Sequence, residues 1–247
     1  MLRTSTLMVV LCLGTMLTAQ TSQPPWKGEN LQYFPKDISR AQLTQRMREF
    51  SFALNVRCQY CHAGGDGVSF EGVSFASDEK PAKVKARAML RMVDQLNGNV
   101  LPQLTARATP RVEVDCVTCH HGLALPKSLQ TTLFEIIESD GIPAAAAKYR
   151  ALRQDTMTFG RYNFGEWEIS ELARRLEEAG KRDAAIAMLE LNGEFNPKSA
   201  AIDVQLGELH RASGDRDKAL ARYRAALVKE PENAMVKRRL EELDKKN

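Results

Sequence analysis

Two short stretches hold most of the thiols and imidazoles in this 247-residue chain. Cys58-Gln59-Tyr60-Cys61-His62 and Cys116-Val117-Thr118-Cys119-His120 each place two thiols three positions apart, with an imidazole directly after the second. Three chemistries use paired thiols. A structural zinc site takes four thiolates, but it leaves both histidines without a role, and the 54 residues between the pairs are long for a compact zinc ribbon. A redox dithiol ignores the histidines as well. Covalent haem attachment uses every residue of the pattern. Each thiol adds to one porphyrin vinyl group, and the following histidine gives the iron its proximal nitrogen. The expectation is two covalently bound haem c groups. Cys58, Cys61, Cys116 and Cys119 are the attachment residues, and His62 and His120 the proximal metal ligands.

The opposite face of each iron decides its chemistry. A strong sixth ligand makes an electron carrier, whereas an open face admits a small molecule. A methionine thioether favours the reduced iron and raises the potential. The elements before each motif offer such groups. The spacing predicts a helix from Ser39 to Leu54, with Asp37 or Ser39 as its cap and Leu43, Met47, Phe50 and Leu54 on one face. Spacing alone favours Met47 as core filling. A second helix opens at Pro81, carries Val84, Ala88, Met89, Met92, Val93 and Leu96 on its apolar side, and can end at Asn97-Gly98. The same unit thus occurs twice: a helix with an inward methionine, a loop, then Cys-x-x-Cys-His. That repetition favours methionine as distal metal ligand in both units: Met47 in the first, and Met89 or Met92 in the second. His121 cannot easily reach the far side of its own haem, and reads as a surface or propionate-contacting residue.

The remainder of the sequence sets the context. Residues 1–19 read as a signal peptide: Arg3, an apolar run from Leu7 to Leu17, then Thr18-Ala19. The run is short for a membrane span, so any membrane association would be weak and would require the segment to stay uncleaved. Cleavage near Ala19 removes Cys12 and leaves only the motif cysteines in an exported, periplasmic chain. The net charge of +4 is dispersed and gives no reason to expect nucleic acid. Aromatics make up 6% of residues, a poverty of ring surface that two porphyrins would help to fill. A glycine-rich loop from Gly64 to Asp78 reads as a lid or connector beside the first haem.

From Ser128 the composition shifts to Ala, Leu, Glu, Lys and Arg, without cysteine. Pro197 recurs as Pro231, and Ala179-Gly180 as Ser213-Gly214, both 34 residues apart. This is the tetratricopeptide period. Leu206, Gly207, Ala219, Tyr223, Ala226 and Pro231 form the clearest unit, and Leu172, Ala173, Ala185, Leu189 and Pro197 the one before it. His210 occupies a packing position of that register. The stretches Thr131 to Ser139 and Pro143 to Arg153 read as helices, and Ala234 to Asn247 as a polar capping helix.

At this point a family resemblance enters. Asn30-Leu31-Gln32-Tyr33-Phe34-Pro35, Leu43-Thr44-Gln45-Arg46-Met47 and Cys58 to His62 resemble the cytochrome c subunit of photosynthetic reaction centres. Lys85-Ala86-Arg87-Ala88-Met89-Leu90-Arg91-Met92 and Cys116 to Gly122 resemble the next unit of that family. The resemblance, which runs from about Asn30 to Leu125, implies an all-helical fold and periplasmic electron relay. It also implies axial methionines on the helix before each motif, so that Met47 matches the first and Met89 the second. The family's subunit typically carries four motifs, and this chain carries two. Ile142-Pro143-Ala144 and Phe164-Gly165-Glu166-Trp167 resemble a tail attached to many exported bacterial hydrolases, which implies docking rather than chemistry.

The expected architecture is therefore all-α: signal peptide 1–19, a di-haem c-type cytochrome domain 20–127, and a tetratricopeptide-like repeat domain 128–247. The expected function is single-electron transfer between periplasmic redox proteins, with no catalytic residues and with docking through the repeats. A di-haem peroxidase and a haem-based redox or gas sensor are the competing readings.

Overall fold

The computed structural model describes residues 26–105, 109–156 and 160–245. The expected signal segment and Cys12 lie outside them. Helices dominate. The only strands among the described residues are Ala63–Gly64 (β1) and Val73–Ser74 (β2), paired antiparallel.

Local sequence explains where the first helices begin. Helix α1 spans Arg40–Leu54. Ser39 caps it reciprocally with Gln42: the Gln42 N–H donates to Ser39 Oγ at 3.2 Å, and the Ser39 N–H donates to Gln42 Oε1 at 3.0 Å. Helix α2, Pro81–Gln95, opens on the proline, whose fixed φ suits a first turn. Asn97-Gly98 does not stop this helical path. The backbone instead widens into a π-turn over Leu96–Val100 and tightens into a 3₁₀ turn over Leu101–Gln103. The short helix α3, Cys116–His120, carries the second motif itself.

The remaining helices form a ladder: α4 (Leu129–Asp140), α5 (Ile142–Gln154), α6 (Glu166–Glu178), α7 (Arg182–Phe195), α8 (Ala200–Ala212), α9 (Arg216–Lys229) and α10 (Ala234–Asp244). Helices α6, α8 and α10 start 34 residues apart, as do α7 and α9. Each packs chiefly on its sequence neighbour. Leu172, Leu176, Leu189, Leu206, Ala219 and Tyr223 are buried between them, so the expected repeat positions are core positions. His210 is buried and packs within α8. Gly207 permits the close approach of α8 and α9, because a β-carbon there would lie 2.6 Å from Tyr223 Cε1.

The core is unevenly distributed. Of the buried hydrophobic residues, only Leu31, Ala53 and Ala63 precede Leu129 among the described residues. Fourteen of the sixteen large hydrophobic side chains that remain exposed lie before that point. Folding of the polypeptide alone therefore buries the apolar surface of the helical ladder but leaves that of the motif-bearing part in water.

Candidate haem-binding site

Each motif is shaped by its own turn. In the first, Cys58–Tyr60 forms a 3₁₀ turn, with the Cys61 and His62 N–H groups donating to the Cys58 carbonyl at 3.1 and 2.9 Å. In the second, Asp115 caps α3. Its carboxylate accepts from the Thr118 N–H at 2.9 Å, while the Asp115 N–H donates to Thr118 Oγ1 at 3.1 Å. His121 then turns left-handed, with φ 46°, and Gly122 follows at φ 76°. The four motif cysteines form no disulfide with one another. Burial pushes the Cys61 and Cys116 thiols up, which keeps them protonated.

The imidazoles are presented differently. His120 Nδ1 lies 2.8 Å from the Leu123 carbonyl oxygen. That bond fixes Nδ1 as the protonated nitrogen and leaves Nε2 as the free lone pair. His62 packs edge-on against Phe75, with ring centroids 5.0 Å apart, and its buried Nδ1 has no hydrogen-bond partner. Burial pushes the His62 imidazole down, the Lys83 charge adds to this, and the nearby Phe75 backbone opposes it without hydrogen bonding to Nδ1. A neutral imidazole is the form that binds a metal.

The β1–β2 hairpin holds Phe75 in place. Gln59 Nε2 donates to the Ser69 carbonyl at 3.1 Å, and Lys83 Nζ donates to the Phe75 and Ser77 carbonyls, each at 2.8 Å. The glycine-rich loop thus sits directly beside the first motif.

The two units are interlocked rather than strung in series. Helix α1, which carries Met47, packs against α3. The Gly122 N–H donates to the Ala53 carbonyl at 2.9 Å, and the Arg46 charge acts on the Cys116 thiol. Conversely, Lys83 and Arg87 of α2 act on His62.

The side of α2 that packs on protein is also not the expected one. Arg87 is its buried residue, ion-paired to Asp78 at 2.8 Å and donating to the Asn30 carbonyl at 3.2 Å. Val84, Ala88, Met89 and Met92 lie on the uncovered side, with Met89 and Met92 exposed at 45% and 44%. Met47 is half-buried.

These residues fit a pair of thioether-linked porphyrins. Each motif offers two thiols on one turn and an imidazole directly after the second. The uncovered apolar stripe of α2 and the exposed Phe52, Phe70 and Phe75 supply surface that a flat apolar group would cover. Sequence reasoning missed the Arg87–Asp78–Asn30 cluster, although the arginine between two apolar positions of α2 is its visible trace.

Residues 28–162 match the model of the photosynthetic reaction centre cytochrome C subunit family. The chain is 32% identical over 152 residues to cytochrome c-554 of Chloroflexus aurantiacus, an alignment covering 53% of this chain and 34% of that protein. Over 82 residues it is 32% identical to the photosynthetic reaction center cytochrome c subunit of Roseobacter denitrificans, covering 33% of this chain and 20% of that one. The chain therefore spans about a third or less of these relatives' lengths. With a match across more than half of its residues, the chain belongs to the photosynthetic reaction centre cytochrome c subunit family.

Proposed function

We propose that the chain is a periplasmic di-haem c-type cytochrome that passes single electrons between redox proteins. The observation that carries the reading is the interlocked pair of Cys-x-x-Cys-His turns, joined within a few residues by the Gly122–Ala53 hydrogen bond. Each haem iron, when bound, exchanges one electron between its ferric and ferrous states. The polypeptide supplies everything else. Cys58, Cys61, Cys116 and Cys119 would hold the porphyrins covalently, and His62 and His120 would supply the imidazoles that bind iron. The Leu123 carbonyl keeps the His120 ring in one tautomer and orientation. Phe75 packs edge-on against the His62 ring and holds its orientation.

Met47 and Met89 supply the distal thioethers, with Met92 as the alternative on α2. The repetition of a methionine-bearing helix before each motif supports this assignment, as does the uncovered position of Met89 beside the apolar stripe. The helical ladder reads as tetratricopeptide-like repeats that dock a partner or a second copy. The 34-residue recurrence of its helices supports this. Among the described residues no helix is long and apolar enough to cross a membrane.

Haem quantification and an optical spectrum of the exported protein test the reading. Two haems per chain and a near-infrared methionine–iron band in the oxidised form are the expected result. A single haem, or a high-spin signal at either iron, would refute a simple two-centre carrier.

A further inference from the structure

Arg161 sits where the second motif meets the helical ladder. Its side chain lies flat along Gly122: a β-carbon on that glycine would be 3.1 Å from Arg161 Nε and 3.6 Å from Cγ. Gly122 is two residues beyond His120. The same arginine lines a cavity of about 420 Å³ together with Cys119, His120, Tyr162 and Asn163.

The other charged groups of this cavity are committed elsewhere. Lys127 Nζ pairs with Glu135 at 2.6 Å. The Glu168 carboxylate accepts from Gln130 Nε2 at 2.9 Å. Arg161 is half-buried, and among the described residues no carboxylate lies within ion-pair distance of it. A guanidinium cannot shed its charge on burial, so a half-buried one calls for an anion. Its planar fork matches a carboxylate in two parallel hydrogen bonds. A porphyrin held by thioethers at its vinyl edge carries two carboxylates on the opposite edge. The family match ends at residue 162, so this segment belongs to the part of the chain shared with other cytochromes.

We propose that Arg161 is a positioning residue for the second haem: it receives a propionate of the haem attached at Cys116 and Cys119, and its charge raises that haem's potential. The proposal rests on the two-haem reading above. A positive charge beside the porphyrin disfavours the ferric state, which carries one more positive charge than the ferrous state.

The full mature chain, Arg161→Gln and Arg161→Lys are compared by haem quantification and by spectroelectrochemical titration. The expected result is two haems in all three. One midpoint falls in Arg161→Gln while the other holds, and Arg161→Lys recovers most of the shift. Two unmoved midpoints, equal shifts of both, or a lysine variant as low as the glutamine one would each overturn the proposal. If Arg161→Gln loses a haem, Arg161→Lys decides. Two haems at wild-type potentials support the role of the charge, and loss of the haem there too overturns it. Fewer than two haems in the unaltered chain removes the di-haem reading first, on a separate readout.

Discussion

Asn97 and Val114 exchange two hydrogen bonds: Asn97 Nδ2 donates to the Val114 carbonyl at 2.7 Å, and the Val114 N–H donates to Asn97 Oδ1 at 2.8 Å. The side-chain amide thereby acts as a one-residue strand partner. It pins the end of the α2 path to the residue just before Asp115, the cap of the second motif. Asn97→Ala leaves both Val114 backbone groups without this partner. It should lower unfolding stability by roughly 1–3 kcal/mol, measured by denaturant titration. Asn97→Asp keeps the acceptor but loses the donor, and should fall between the two.

Asp78 gives the motif-bearing part an acid-sensitive contact. The Arg87 guanidinium holds its carboxyl well below the usual carboxylate range, with Asn30 and Lys83 adding to the effect and partial burial opposing it. A depressed folded-state pKa stabilises the fold fully above the unfolded value, about 4, and that contribution is lost as pH falls below it. The melting temperature of the wild type should therefore drop between about pH 4 and pH 2. Asp78→Asn should be less stable at pH 7 and show a shallower drop. Equal slopes in the two proteins would mean that the contact does not report on stability.

Gly207 of α8 lies directly against the Tyr223 ring of α9, with no room for a β-carbon. The tyrosine ring is fully buried and its hydroxyl donates to Glu208 at 2.8 Å, so it cannot retreat. Gly207→Ala gains about 1 kcal/mol of helix propensity but should lose about 1–3 kcal/mol to overpacking. The net expectation is a lower melting temperature. In a Gly207→Ala/Tyr223→Leu double mutant the steric part should vanish, giving a positive coupling in a double-mutant cycle.

Met89 and Met92 can be told apart by redox titration, because only the iron-binding one sets a midpoint potential. Haem content and unfolding stability are measured beside each potential, which separates a redox effect from a folding effect. Met89→Ala and Met47→Ala should each lower one midpoint potential and remove one of two methionine–iron bands. Met92→Ala should leave both in place. The reverse pattern on α2 would transfer the ligand to Met92.

The sequence was most legible where its signals are local. Ser39 and Pro81 mark helix starts through neighbouring residues, Pro197 and Pro231 fall 34 positions apart in turns between helices, and the structure follows them. The motifs were legible because their chemistry is written in five consecutive residues. What periodicity could not give was the direction of α2. Its apolar stripe was expected to face inward, yet the packed side is that of Arg87, because Asp78 and the Asn30 carbonyl satisfy the guanidinium there. Asn97–Val114 and Arg161–Gly122 are contacts across 17 and 39 positions, with no local mark in the sequence. The crossing of α1 onto α3 is likewise a property of tertiary packing.

The uneven core has a consequence for biogenesis. The ladder from Leu129 onward encloses its own apolar interior, whereas the preceding stretch buries only Leu31, Ala53 and Ala63 among its described hydrophobic residues. The ladder can therefore condense as soon as it is synthesised, with no prosthetic group. On the di-haem reading proposed above, the motif-bearing stretch would complete its interior when porphyrins are attached, so that assembly and maturation would be one event there. A cell unable to form thioether bonds should accumulate a chain that a protease trims from the front and stops near Leu129.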